Sequence, residues 1–167
     1  MEAVALETMC TMLNNRGYVI VEQHDNKLLA ENFDEKKIFV LVSDEEKVNM
    51  NTIKELIVIM NEHHFDHAIL IYKDVITPSA KKILETLPTC EIELFSIHEL
   101  QYNLIEHVLV PPHEKVEEAE ATVLRKKWGS KLPTILKSDA VCRYYNFQRG
   151  DILRITRSTE IVYRVVR

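Results

Sequence analysis

Glycine is scarce in this chain, with three in 167 residues. Loops that cradle phosphate depend on glycine, and the sequence holds no P-loop, GxSxG, HExxH or Gly-rich phosphate motif. Cysteine is equally scarce. Cys10, Cys90 and Cys142 are far apart and odd in number, which argues against a disulfide framework and a CxxC metal pair and points to a reducing compartment. Long apolar runs are missing as well. Stretches such as AILIY are strand-sized, whereas a membrane helix needs roughly 20 apolar residues, so no membrane partner is expected. The opening MEAVALETMC carries acids and no basic stretch, and is not expected to act as a signal peptide.

What is present is ordinary globular usage, 46% hydrophobic and 28% charged. The length allows one domain or two small ones. The formal charge of −5 hides an asymmetry. Residues 104–167 hold twelve Lys/Arg and eight Asp/Glu, a net of +4, while residues 1–103 hold nine and eighteen, a net of −9. Opposite signs in the two halves favour two modules with different partners, the basic one suited to nucleic acid or to an acidic protein surface.

Hydrophobic spacing predicts a helix over 2–15, with Leu6, Met9, Cys10 and Leu13 in helical register and Gly17 as a left-handed stop. YVIVE reads as a strand, NKLLAENFDEKK as an unassigned polar patch, and KIFVLVS as a buried strand. NTIKELIVIMNEHH is a helix, capped by Asn51, with Ile53, Leu56, Ile57 and Met60 as its stripe. HAILIY is again a strand. TPSAKKILETL opens a helix with Thr77 as cap and Pro78 at the first helical position, where the missing N–H costs nothing. CEIELFS alternates, with Cys90, Ile92 and Leu94 on one face and Glu91 and Glu93 on the other. Strand–helix–strand–helix–strand over 37–95 is an α/β pattern. Pro111 and Pro112 then break it, placing a boundary near 104–113. A charged helix over about 114–127 leads to LPTIL, a strand, with Trp128 expected to pack beneath it.

The last stretch is densely punctuated. Ser138 fits an N-cap with Asp139 in the first turn, and Val141, Cys142, Tyr144 and Tyr145 give a short helix its apolar side. Asn146 stands where that helix must stop, and Asn tolerates the left-handed conformation that stops it. Gly150 turns the chain into DILRIT, RSTE is a four-residue loop, and IVYRVV returns as a hairpin.

LPTILKSDAVCRYYNFQRGDILRITRSTEIVYRVVR resembles the C-terminal assembly module of the fifth subunit shared by the eukaryotic nuclear RNA polymerases, a module that by itself makes up a whole small subunit of the archaeal RNA polymerase. The matching residues are Leu132, Pro133, Ile135, Ser138, Asp139, Arg143, Tyr144, Arg149, Gly150, Ile155, Arg157, Ser158, Tyr163 and Arg164. Ala140 stands where the family has Pro, and Asn146 where it has Gly. Upstream, EHVLVPPHEKV matches an H-x-LVP-x-H segment through His107, Leu109, Val110, Pro111 and His113. NNRGY, TPSAKKILE, EIELF and ELQYNLIEH resemble pieces of the eukaryotic N-terminal jaw. The jaw is shortened over 22–36, which suits a divergent eukaryote or a large DNA virus with its own polymerase.

The resemblance implies an α/β N-terminal jaw with a restriction-endonuclease-like core over 1–103, and a small α+β assembly domain with a mixed sheet over 104–167. It implies an accessory subunit without chemistry, cofactor or metal of its own, residing in the nucleus or, if viral, in the host nucleus, a cytoplasmic factory or the virion. The assembly module would dock on the largest polymerase subunit, the jaw would lie along downstream double-stranded DNA, and transcription regulators would be further partners. The candidates for DNA are Thr77, Pro78, Ser79, Ala80, Lys81 and Lys82, where a helix N-terminus and two lysines suit a phosphate. Those for docking are His107, Pro111, His113, Arg143, Tyr144, Arg149, Gly150, Arg157, Tyr163 and Arg164, since arginine suits planar pairing with carboxylates. Arg154 shares their chemistry.

Rival functions are a free transcription adaptor and a restriction-endonuclease-like DNA-binding protein or nuclease. A restriction-endonuclease-like site needs an acid and (D/E)-x-K around Mg²⁺, and Asp34-Glu35-Lys36-Lys37, preceded by Asp25, formally contains it. His63, His64 and His67 are a further metal candidate, although a helix end between them gives no reason for them to converge. For His107 and His113, flanking the Pro-Pro turn, structural hydrogen bonds are expected rather than catalysis.

Overall fold

The computed structural model describes residues 1–86 and 90–167. It divides into two compact units, Met1–Tyr102 and Asn103–Arg167.

The first unit opens with α1 (Glu2–Asn15), which stops where Gly17 takes a φ of 84° and its N–H bonds Asn14 O at 3.0 Å. Strands β1 (Tyr18–His24), β2 (Lys27–Asn32) and β3 (Lys37–Val42) follow as an antiparallel meander. A two-residue strand β4 (Lys47–Val48) leads into α2 (Met50–His63). Then come β5 (His67–Tyr72), β6 (Val75–Ile76), α3 (Pro78–Thr86) and β7 (Glu91–Ser96). The sheet order is β1-β2-β3-β5-β7, with β5 parallel to β3 and β7 parallel to β5, while β4 and β6 pair as a separate ribbon ahead of α2 and α3. The far end of the helix predicted from Thr77, at Leu87, lies outside the described residues.

Strand alternation separates two cores. Phe39, Ala68 and Leu70 point to α2 and α3, packing with Ile53, Leu56, Met60 and Ala80. Ile38, Val40, Val42, Ile69 and Ile71 occupy the opposite face and are buried, as are Ala5, Met9, Met12 and Leu13 of α1. Each such fully buried Met, Leu or Ile contributes about 1.5–3 kcal/mol relative to exposure.

Two expectations change here. The cap of α2 is Asn49, not Asn51: the Asn49 side-chain oxygen accepts from the N–H of Asn51 at 2.6 Å and of Thr52 at 3.3 Å. The polar patch at 26–37 contains a full strand, β2, in which Leu28 and Ala30 are buried.

The second unit begins with a 3₁₀ turn, Leu104–Glu106. Strand β8 (His113–Lys115), helix α4 (Glu118–Trp128), a second 3₁₀ turn (Gly129–Lys131), β9 (Thr134–Ile135), α5 (Ala140–Tyr145), β10 (Ile152–Thr156) and β11 (Ile161–Val166) complete it. The mixed sheet runs β8-β10-β11-β9, antiparallel except for β9 beside β11. One face packs Ile152 and Val165 against Ala121 and Leu124 of α4, and the other packs Leu153 and Val166 against Cys142 of α5 and Phe147.

Residues 113–115 form a strand, so the predicted helix starts later, at Glu118. The cap of α5 is Asp139, whose carboxylate accepts from the Val141 N–H at 2.9 Å, and not Ser138. Asn146 adopts the left-handed conformation expected of it, with φ 51° and ψ 44°. Trp128 is 46% exposed, with the Lys127 ammonium 5.4 Å over its ring, rather than packed beneath the module.

Candidate functional site

The two helix-leading strands of the first unit bring the starts of α2 and α3 to the same end of the sheet. Their electrostatics differ. At α2 the opening is occupied: Glu45 accepts from the Thr52 hydroxyl at 2.7 Å, and Asn49 takes two backbone N–H groups. At α3, Thr77 Oγ1 accepts from the Ala80 N–H at 3.4 Å and the Thr77 carbonyl from the Lys81 N–H at 3.1 Å. Pro78 has no N–H, which leaves the Ser79 N–H as the open donor of the first turn. Pro78, Ser79, Lys81 and Lys82 are exposed, and Thr77 is half-buried with its hydroxyl 3.3 Å from that of Ser79. Ala80 is fully buried in the core, so it cannot belong to a surface that meets a ligand.

On the other face of the same sheet, Glu93 is held by three contacts. Arg16 donates from both guanidinium nitrogens, at 2.7 and 2.9 Å, and His67 Nε2 lies 2.7 Å from Oε1. The Arg16 side chain is 4% exposed and that of Glu93 12%. Burial by itself would raise the Glu93 pKa, but the hydrogen bonds from His67 and Arg16 outweigh it and hold the carboxyl below its ordinary range. This cluster locks the end of α1 onto β7. His67 is committed to it, while His64 is the left-handed cap of α2 and His63 stacks on Phe65 with ring centroids 5.6 Å apart. The three histidines therefore do not converge. Among the described residues no group of three or more His, Cys, Asp or Glu could hold a metal ion.

The nuclease constellation does not assemble either. Asp34, Glu35 and Lys36 form the exposed β2–β3 turn, with Glu35 at φ 61° and Asn32 Oδ1 accepting from the N–H of Asp34 and of Lys36. Asp25 lies in the β1–β2 turn, at the other end of β2. At about 3.4 Å per residue, the length of β2 separates them by roughly 20 Å, too far to share one Mg²⁺.

In the second unit the docking candidates are spread over both faces and both ends of the sheet. Residues directly opposite in an antiparallel pair share a face. Arg154, Tyr163 and Glu114 therefore lie on the α4 side, and Arg164, Leu153 and Lys115 on the α5 side. Arg154 pairs with Glu114 at 3.3 Å, and the Tyr163 hydroxyl donates to Glu120 at 3.1 Å. Among the described residues Arg164 reaches only the Thr134 carbonyl, at 3.4 Å, and its Nε is buried without an acceptor. Arg157 stands in the β10–β11 loop, 3.7 Å from Glu160. Arg149 and Gly150 occupy the turn before β10, with Gly150 at φ 91° and its carbonyl accepting from Arg125. Arg143 is half-buried on α5. Tyr144 is 4% exposed, an interior residue rather than a docking surface. Cys142 is buried and its thiol is pushed up to about 11, chiefly by burial, so it carries no reactivity.

The loop before β8 is a built feature. His107 Nδ1 accepts from the Leu109 N–H at 3.2 Å and its carbonyl from the Val110 N–H at 2.8 Å. His113 Nδ1 donates to the Pro111 carbonyl at 2.7 Å, and the Pro112 carbonyl accepts from Thr156 at 3.1 Å. Both imidazoles thus close turns. Between them Val108 and Leu109 are held out at 93% and 81% exposure. Beside Pro112, across Thr156, Ile161 is 56% exposed. These three apolar residues are absent from the candidates drawn from sequence. The available signal is a short apolar run, VLV, in a Pro-flanked loop that neither helix nor strand spacing explains.

Comparisons with known proteins bear on both units. Residues 102–167 match the family profile described as RNA polymerase Rpb5, C-terminal domain. A Caenorhabditis elegans protein named DNA-directed RNA polymerases I, II, and III subunit RPABC1 is 35% identical over 149 residues, covering 83% of this chain and 71% of the relative. A Dictyostelium discoideum protein of the same name is 30% identical over 181 residues, covering 96% and 91%. Among solved structures, a repair endonuclease from Pyrococcus abyssi is similar to 57% of this chain and 45% of its own, at 14% identity and a TM-score of 0.42, too low to carry a fold assignment. The profile spans the second unit, the relatives reach through the first, and together they place the chain in the RNA polymerase Rpb5 family.

Proposed function

We propose that the chain is a non-catalytic subunit of a multisubunit DNA-directed RNA polymerase, binding other polymerase subunits and residing in the nucleus. The second unit docks on the largest subunit. The observation that carries this is the loop at 107–113, where two imidazole hydrogen bonds hold Val108 and Leu109 in solvent. Apolar side chains fixed outward in a loop lose little further entropy on binding, so burying them against a partner is favourable. Arg157, exposed at the neighbouring hairpin end, supplies a polar anchor. The first unit, with its antiparallel meander followed by parallel strands flanked by helices, acts as the jaw. It meets the downstream duplex at the start of α3 through Ser79, Lys81 and Lys82 in sequence-independent phosphate contacts.

The test is assembly. Tagged chain should bring down the largest subunit stoichiometrically, and V108D/L109D should lower the recovered subunit at least about tenfold, the loss that about 1.4 kcal/mol gives. In polymerase assembled normally, K81E/K82E should weaken crosslinking to downstream DNA. Recovery unaffected by V108D/L109D overturns the docking surface, and a chain found wholly apart from polymerase makes it a free adaptor.

A further inference from the structure

Helices α2 and α3 cover only part of the first unit's sheet, and a groove of about 510 Å³ lies where β1 and β2 emerge beside the end of α2. Its floor is apolar, made by Leu29 and Phe39 side by side across the β2–β3 pair, with Ile59 and Phe65 from the helix side. The rings of Phe39, Phe65 and His63 form a stack, with centroids 5.7 and 5.6 Å apart and planes inclined by 15°.

The rim carries charge of both signs, two lysines and one carboxylate, Glu22. Lys27 and Lys37 line it on the same face as Leu29 and Phe39, and His24, opposite Lys27, adds an imidazole. Of the acids on this face, Glu22, opposite Leu29, lines the groove itself, and Glu31 stands directly across from Lys37. Among the described residues, neither lysine makes an ion pair with them. The spacing is informative. Lys27 lies two residues from Leu29 along β2, and Lys37 two residues from Phe39 along β3, in opposite directions. The two cations therefore flank the apolar centre about four residues apart along the strands, or roughly 14 Å at 3.4 Å per residue.

An extended peptide repeats side chains on one face every two residues. Residues i, i+2 and i+4 of such a peptide span the same distance. We propose that the groove binds an extended segment of a partner protein with an acid at i, an aromatic at i+2 and an acid at i+4. The carboxylates meet Lys27 and Lys37, and the aromatic side chain lies over Leu29 and Phe39 beside the ring stack. A nucleic acid fits less well. Residues 1–102 carry nine Lys/Arg and eighteen Asp/Glu, a net of −9 that repels a polyanion along its length, whereas a short peptide with two acids meets chiefly the charges of the groove, Lys27 and Lys37 with Glu22 and Glu31 beside them, within a Debye length of about 8 Å. The site is separate from the assembly surface and does not depend on it.

The experiment uses isotopically labelled full chain and four probes followed by amide shifts: Glu-Ser-Phe-Ser-Glu between Gly-Ser flanks, its Lys-for-Glu and Ala-for-Phe counterparts, and a twelve-nucleotide oligo-dT. The acidic aromatic peptide should move the amides of Leu29, Phe39 and Phe65, and both altered peptides should bind at least about tenfold more weakly. K27E/K37E, at exposed positions that leave the spectrum of the rest of the chain in place, should weaken the acidic peptide by at least about tenfold. No shifts at the groove, equal binding of the Lys peptide, or unchanged affinity in K27E/K37E would overturn the proposal. Stronger shifts of the same amides by oligo-dT would reassign the groove to nucleic acid.

Discussion

The two units solve one problem, a mixed sheet covered by helices on both faces, with different amounts of material. The first has 14-residue helices, a deep double core and enough apolar surroundings to bury a complete ion pair, Arg16 with Glu93. The second covers one face of its sheet with an eleven-residue helix and the other with a six-residue one. Its order is written into individual turn residues: Asp139, Asn146 and Gly150 each occupy the one conformation or bond their place requires. A large core tolerates generic patterning and can host a costly polar device. A small core has little apolar surface to spend, so specification moves to caps and turns.

That contrast is broken most sharply at Glu93. Removing one partner of a buried pair leaves the other charge uncompensated, at a cost of about 3–5 kcal/mol. E93A should therefore raise hydrogen exchange throughout the first unit of the full chain, with protection in the second unchanged. Equal loss in both would mean that the units are not energetically separate. The pH dependence has a definite sign. Because the native Glu93 pKa lies below the reference value of 4.5, its contribution is complete above that pH and is lost as pH falls through the native value. Acid exposure below pH 4.5 should loosen the first unit in the native chain, and E93Q should lose this carboxylate's share of that dependence.

Legibility in the sequence follows the same division. Helices α1 and α2 are visible because long apolar periods average over local exceptions. Strand β2 is hidden because Leu28 and Leu29 are adjacent, one serving the core and the other the groove, so no alternation shows. The role of Glu93 is invisible because Arg16 is 77 residues away. In the second unit, turn chemistry placed Asn146 correctly, whereas Ser138 and Asp139 offer the same capping chemistry at adjacent positions and only the structure separates them. Val108 and Leu109 carry no periodic signal, since their exposure is imposed by imidazole hydrogen bonds within the loop.

Turn specification in the second unit predicts an intermediate effect at Asn146. A β-branched residue forced into the left-handed region costs roughly 1–2 kcal/mol, so N146V should lower protection across the second unit by that amount. N146G removes the steric cost and gives up the Gln148 hydrogen bond at 2.9 Å, and should stay within about 0.5 kcal/mol of the parent. A penalty for N146G as large as that for N146V would show that the side chain, not the backbone conformation, holds this turn.

The smallest effect tests whether caps matter less where the core is large. Asn49 satisfies two backbone donors of α2, and N49A should cost about 1 kcal/mol, read as faster exchange in the first turn of that helix. Asn51 lies inside the helix, exposed, and among the described residues its side chain caps nothing, so N51A should be neutral or slightly stabilising through better helix propensity. The comparable cap in the second unit is Asp139, and D139A should cost a similar energy. Its consequence should be wider, because α5 is six residues long and cannot fray without exposing Cys142 and, with it, the core around Leu153. N49A should therefore stay local while D139A spreads through its unit. If both stay local, the division between a patterned unit and a punctuated one fails at its most sensitive point.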